Sequence, residues 1–157
     1  MRGVLKYTSL AAAIAFGADQ LSKWWAIQVM EGHTEISVTG FFNLVLGRNT
    51  GVSFGLFNEA PPWLLVGITL AIVLMLLVWA SRERQPITAV ALGLIIGGAL
   101  GNMLDRLRHS GVTDFLDFHI GGIHWPAFNL ADTAIVLGVM LLLFDAFRRE
   151  MRFLTRP

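Results

Sequence analysis

The stretch "FNLADTAIVLGVMLLLFDAF", Phe128 to Phe147, is apolar enough to cross a bilayer, yet it opens with Asn129 and Asp132. A spanning helix needs about 20 mostly apolar residues, with roughly 17 to 25 tolerated. An ionisable group in such a segment is costly and points to function. The reading of the chain turns on which other segments cross and on which groups meet Asp132.

Three further stretches are apolar: about 4–30, interrupted by Asp19 and Lys23; about 63–80, without charge; and about 87–104. The chain of 157 residues is 55% hydrophobic and only 15% charged, with a mean hydropathy of +0.63. Soluble domains average roughly a quarter charged residues. This chain has too little polar surface to cover a core in water. We therefore expect one integral membrane domain, 1–157: an all-α membrane protein with four transmembrane helices and a small β-containing extracytoplasmic cap. The outer segments are about 31–62 and 105–127, and 148–157 is a tail. A net charge of +1 gives no reason to expect nucleic acid, and the absence of cysteine excludes disulfides and thiol chemistry.

Basic residues orient the spans. Arg2, Lys6, Arg82, Arg84, Arg148, Arg149, Arg152 and Arg156, eight of the twelve Lys and Arg, fall on one side of a four-span arrangement. The positive-inside rule makes that side cytoplasmic, with both termini on it. All four histidines and the acids Asp19, Glu31, Glu35, Glu59, Asp105, Asp114, Asp117 and Asp132 then lie toward the outer face. The first segment also has the parts of a signal peptide: Arg2 and Lys6, then "SLAAAIAF" and "AFG". Its removal would leave three spans and put the basic tail opposite the basic loop, so a span is the preferred reading.

Between the first two spans, Ile36 and Val38 alternate with polar neighbours and "FFNLVLG" is rich in strand formers. "GRNTG" is turn chemistry. A small sheet or hairpin on the outer membrane surface is expected there. "HSGVTDFLDFHIGGIHWPAF" adds a shorter outer loop with strand-like pieces.

Several residues carry candidate chemistry. Asp19 and Lys23 share a helix face in the favourable i,i+4 order, which a simple neutralising pair would also explain. In "GGALGNMLDR", Gly97 and Gly101 form a small-xxx-small pair that lets another backbone approach. Asn102, Asp105 and Arg106 follow within about a turn, more polar groups than helix packing needs. Asp132 lies near a helix N-terminus, where the dipole favours an anion, with Asn129 three residues before it. Asp114, in the preceding loop, has enough chain to fold back onto it. Two carboxylates in contact cannot both ionise easily, so they share a proton and titrate as a unit. Such a pair can take a proton from water and give one to a carbonyl, which hydrolyses a peptide without a metal or a nucleophilic side chain. Asp105 and Asp117 are rival partners that spacing does not eliminate. His109, His119 and His124 lack an HExxH arrangement, no serine sits in G-x-S-x-G, and "GLIIGGALG" is not a P-loop.

The motifs "DQLSK" (Asp19 to Lys23), "NTGVSFG" (Asn49 to Gly55), "GGALGNMLDR" (Gly97 to Arg106), "VTDF" (Val112 to Phe115) and "FNLAD" (Phe128 to Asp132) occur in that order. In this the chain resembles the bacterial lipoprotein signal peptidases, or signal peptidase II, over nearly its whole length. The resemblance implies an aspartic endopeptidase of the bacterial cytoplasmic (inner) membrane, working at its outer face. Its substrate would be a diacylglyceryl-modified prolipoprotein, cut N-terminal to the lipidated cysteine. By resemblance, Asp114 and Asp132 are catalytic, and Asp19, Lys23, Asn49, Gly51, Asn102, Asp105, Arg106 and Asn129 support them or bind substrate. No metal or organic cofactor is implied. Membrane lipid is the other partner, and a monomer is expected because one chain should hold the complete site. Two competing readings use the same residues: a proton-coupled membrane carrier, in which the acids form an ion pathway, and a non-catalytic scaffold.

Overall fold

A computed structural model of the chain describes residues 2–51, 61–109 and 111–154. Four helices, α1 (Arg2–Val29), α2 (Pro62–Arg82), α3 (Pro86–His109) and α4 (Leu130–Leu154), combine with four strands. The strands are β1 (Glu35–Thr39), β2 (Phe42–Asn49), β3 (Val112–Ile120) and β4 (Ile123–His124), in one antiparallel sheet of order β1-β2-β3-β4. The sheet closes one end of the bundle, because the chain enters it from α1 and α3 and leaves it into α4. At the other end only Glu83, Arg84 and Gln85 join α2 to α3, and Pro86 opens α3.

The two outer segments expected as separate small features thus form a single sheet. "GRNTG" is not a turn as a whole: Gly47, Arg48 and Asn49 continue β2 and pair with Asp114, Thr113 and Val112. Local composition favoured a turn, but a strand far along the chain supplies the hydrogen bonds. An extra residue in β2 between Leu44 and Gly47 forms a bulge beside this pairing. From "NTGVSFG", Val52 to Gly55 lie outside the described residues.

Among the described residues three helices are long and apolar enough to cross a membrane, Trp63–Arg82, Pro86–His109 and Leu130–Leu154, against the four spans expected. α1 has the length, at 28 residues, but lacks the apolarity. Lys6, Thr8, Ser9, Asp19, Gln20 and Lys23 dilute it, and Thr8, Asp19 and Lys23 are buried inside the bundle. The last helix begins at Leu130, after Phe128 and Asn129, and runs on to Leu154, through most of the segment read as a tail.

Small residues set the helix spacing. α3 is central, packing on α1, α2 and α4. A Cβ at Gly93 or Gly97 would collide with the α1 backbone at Thr8 or Ala12, and one at Gly98 with the Ala131 carbonyl of α4. At Gly101 it would strike the Asp19 carboxylate, so this glycine makes room for a buried charge instead of a backbone. On the α2 side, Val73, Leu76 and Ala80 meet Leu92, Ile95, Ile96 and Ala99. A second cluster, Ala26, Met30, Leu44 and Phe115, fastens the sheet to the end of α1.

Gly97→Val should destabilise the folded protein by about 2 kcal/mol or more, since overpacked sites cost roughly 1–3 kcal/mol and here backbone stands in the way. Gly17→Ala, with nothing within 4 Å of the added atom, should cause no loss. Unfolding in detergent compares the two.

Candidate active site

α4 starts with a reciprocal cap. Asn129 is its N-cap, and its Oδ1 accepts the backbone N–H of Asp132 at 3.0 Å. The Asn129 backbone N–H donates back to Asp132 Oδ2 at 3.3 Å. This is a capping box with Asp in the position usual for Glu or Gln, and it satisfies two donors a helix start leaves unpaired. A leucine at 132 would keep its backbone N–H but could not accept the N–H of Asn129.

The same asparagine reaches the second acid. Asn129 Nδ2 donates to Asp114 Oδ1 at 2.7 Å, with the Asn102 Oδ1 and Thr113 carbonyl acceptors slightly farther away. Asn102, on α3, donates its Nδ2 to Asp132 Oδ1 at 2.8 Å. Asn49, at the end of β2, donates to Asp114 Oδ2 at 3.2 Å. One fully buried asparagine therefore joins the buried start of β3 to the half-buried first turn of α4.

Both acids line a cavity of about 810 Å³. Asn49, Asn102 and Arg106 share its polar head, while Leu65, Ile68, Ile72, Ile95, Ile135 and Val136 form apolar walls. Among the described residues no other Asp or Glu lines it. Burial pushes the Asp114 carboxyl up to about 6, and the nearby charge of Asp132 adds to the rise. Hydrogen bonds from Asn49 and Asn129 act in the opposite sense.

Behind the cavity lies a buried ion cluster. Lys23 Nζ is 2.9 Å from Asp19 Oδ2, 3.2 Å from Asp105 Oδ2 and 3.0 Å from Asn102 Oδ1. Each of these two aspartates also accepts a backbone N–H: Asp19 Oδ1 from Ala131 at 3.0 Å, Asp105 Oδ2 from Thr113 at 3.0 Å. Ala131 and Thr113 are the residues immediately before Asp132 and Asp114. The cluster thus holds the backbone on which each cavity-lining acid is mounted.

The rival acids are engaged elsewhere. Asp105 belongs to this cluster. Asp117 is buried in the sheet, accepting from Asn43 Nδ2 at 3.2 Å and pairing with His124 Nδ1 at 2.9 Å. His124 also stacks on His119, ring centroids 4.8 Å apart. Arg106 donates to the Gly51 carbonyl at 2.8 Å, and Gly51 N–H donates to Asn49 Oδ1 at 3.1 Å. All ten residues singled out in the sequence are therefore in or directly behind one site.

Sequence reasoning passed over Gln20, whose Nε2 donates to Asp19 Oδ2 at 3.0 Å and Asp105 Oδ1 at 3.3 Å. Its place inside "DQLSK" was the available signal. Also missed was a buried group at the opposite end of the bundle, where Asp145 accepts from Thr88 Oγ1 at 2.8 Å and pairs with Arg148 and Arg149. There the signal was an acid inside an otherwise apolar helix.

Comparison with known proteins places the chain in a family. A model of the family described as signal peptidase (SPase) II matches residues 11–148. A lipoprotein signal peptidase of Beijerinckia indica subsp. indica is 44% identical over 90% of this chain and 87% of that protein. One from Burkholderia multivorans is 46% identical over 83% of this chain and 81% of its own length. A solved structure described as a bacterial membrane enzyme superposes with a TM-score of 0.84 at 27% identity, covering 96% of this chain and 93% of the other. Nothing in these comparisons supports the carrier reading. The chain belongs to the signal peptidase II family and is an aspartyl peptidase of the membrane.

Proposed function

We propose that this peptidase removes the signal peptide from diacylglyceryl-modified prolipoproteins, cleaving N-terminal to the lipidated cysteine, with Asp114 and Asp132 as a proton-sharing dyad. The observation that carries the reading is the meeting of the two acids, through Asn129, at the polar head of an apolar-walled cavity. The substrate class is the one named for the relatives.

The division of labour follows from the surroundings of each acid. Asp132 sits in the first turn of α4 and accepts N–H groups of Asn102 and Asn129. Asp114, raised by burial and by its neighbour, carries the shared proton. Asp132 takes a proton from water, the resulting hydroxide-like oxygen attacks the scissile carbonyl, and Asp114 gives its proton to the carbonyl oxygen. Proton return to the leaving amine completes hydrolysis. Asn102 and Asn129 keep the carboxylates in register. Arg106 and Asn49 bind backbone or glyceryl oxygens of the substrate, and the acyl chains lie along the apolar walls or in lipid. This reading also has "GRNTGVSFGLF" close over the substrate; from Val52 onward that segment lies outside the described residues.

α1 is proposed as the fourth span. Its polar groups Thr8, Asp19 and Lys23 are turned into the bundle, while Leu10, Ile14 and Leu21 are exposed. Four spans make 1–157 a single membrane domain with both termini cytoplasmic and the dyad on the outer face. One chain holds every residue of the site, so the working unit is a monomer.

Cleavage of a diacylglyceryl-modified prolipoprotein by purified protein in detergent, with EDTA present, tests the chemistry. Asp114→Asn and Asp132→Asn should each lose at least about 10²–10⁴-fold in kcat, the usual scale of acid–base catalysis, with substrate binding retained. Turnover by both variants would overturn the dyad.

Arg106→Ala and Asn49→Ala should raise KM more than they lower kcat, because they remove binding rather than chemistry. Unchanged substrate affinity would refute their role.

A pH series reads the cost of burying Asp114. Its carboxyl titrates near 3.8 when unfolded and about 6 when folded, so between those values the folded form binds more protons. Stability from this group therefore falls as pH rises from about 4 to 6 and stays lower above, by on the order of 3 kcal/mol. Asp114→Asn abolishes that dependence. The stability of the variant relative to wild type should increase across the same window and level off above it, as read by denaturant unfolding at each pH.

A further inference from the structure

From Phe118 to Ala131 the chain contains no Asp, Glu, Lys or Arg. This run includes the β3–β4 turn, where Ile120 pairs across to Ile123 around Gly121 and Gly122. Both glycines have positive φ, 59° and 83°, as a two-residue primed turn requires. Here Ile120 is 82% and Ile123 80% exposed, and Trp125, one residue past β4, is 61% exposed.

Three observations point this tip at lipid. Side chains alternate along a strand, so Asp114, Leu116, Phe118 and Ile120 share one face of β3. The face that meets the cavity at buried Asp114 therefore runs on as a strip through half-buried Leu116 to exposed Phe118 and Ile120, about 20 Å along the strand at ~3.3 Å per residue. Next, Trp125 lines the same cavity whose walls come from α2 and α4, two helices apolar enough to cross a membrane. The strip is thus continuous with lipid-facing surface, and exposed Trp24, Trp25 and Trp63 stand at the same end of the bundle, as in an interfacial aromatic belt. Finally, the sheet is polarised across its strands. The β1 side carries exposed Glu31 and Glu35, and β4 and its turn contain no Asp, Glu, Lys or Arg.

We propose that the β3–β4 tip is a membrane anchor that enters the outer leaflet at the boundary of headgroups and acyl chains. A hairpin has unpaired edge groups that hydrocarbon would not satisfy, which limits the depth to the few ångströms, about 5–10 Å, typical of interfacial elements. The anchor shares β3 with Asp114, so it sets the height of that acid against the bilayer surface and holds the 125–128 wall of the cavity beside lipid.

The chain has no cysteine, so single labels can be placed directly. Ile120→Cys and Ile123→Cys, each carrying a nitroxide, are compared with Glu31→Cys and Glu35→Cys in phosphatidylethanolamine–phosphatidylglycerol vesicles. Relative accessibility to oxygen over a water-soluble nickel chelate should be several-fold higher at 120 and 123 than at 31 and 35. Equal, nickel-dominated accessibility at all four positions would overturn the proposal. Protection from both reagents, with dipolar broadening between labels on different molecules, would assign the tip to a second copy of the chain and overturn it as well. An apolar signal at 120 and 123 that appears only when prolipoprotein is added would assign it to substrate, with the same consequence. Because each label is read in folded, vesicle-inserted protein, either position alone decides the matter.

Discussion

Lys23 is 3% exposed, and its ammonium lies between the carboxylates of Asp19 and Asp105. Three charges in such a place are stable only together: removing one partner of a buried pair costs roughly 3–5 kcal/mol, because the other is left uncompensated. Here the cluster has a second consequence. Its two carboxylates accept the N–H groups of Ala131 and Thr113, the peptide positions just before Asp132 and Asp114. Lys23 and Gln20 bridge the two carboxylates, so α1 ties the start of α4 to the start of β3. The spacing of the cavity-lining acids is thereby set by residues that do not line the cavity.

This arrangement needs close helices. Gly93 and Gly97 admit the α1 backbone, Gly98 admits α4, and Gly101 leaves the volume that the Asp19 carboxylate fills. Polar residues in α1 lower its apolarity, yet Asp19 and Lys23 meet partners inside the bundle instead of lipid. The polar groups of α1, α3 and α4 near the sheet converge on one site, and the Thr88, Asp145 and Arg149 group closes the opposite end separately. Between them the helices are apolar, as the proposed cleavage of a lipidated substrate at the membrane surface requires.

Much of the site was legible because its residues sit at helix termini and in short, characteristic runs. Asn129 three residues before Asp132 is a cap pattern, and Asn102, Asp105 and Arg106 within a turn are too many polar groups for packing alone. What failed was whatever needed a distant partner. "GRNTG" reads as a turn until β3 is present to pair with it. Asp105 and Asp117 have the same local credentials as Asp114, and only tertiary contacts separate them. Lys23 and Thr113 engage the first, Asn43 and His124 the second.

By itself, then, the sequence determined the class of the molecule: apolar stretches long enough for a bilayer, a low share of charge, and acids at the edges of those stretches. These are local properties, set by composition and by spacings of a few residues. The tertiary structure alone decided that two outer segments make one sheet, that Asp19 and Lys23 of α1 meet Asn102 and Asp105 inside the bundle, and which acids share the cavity. Each of those depends on groups distant in the chain meeting at hydrogen-bond distance, and short-range pattern carries no record of such meetings.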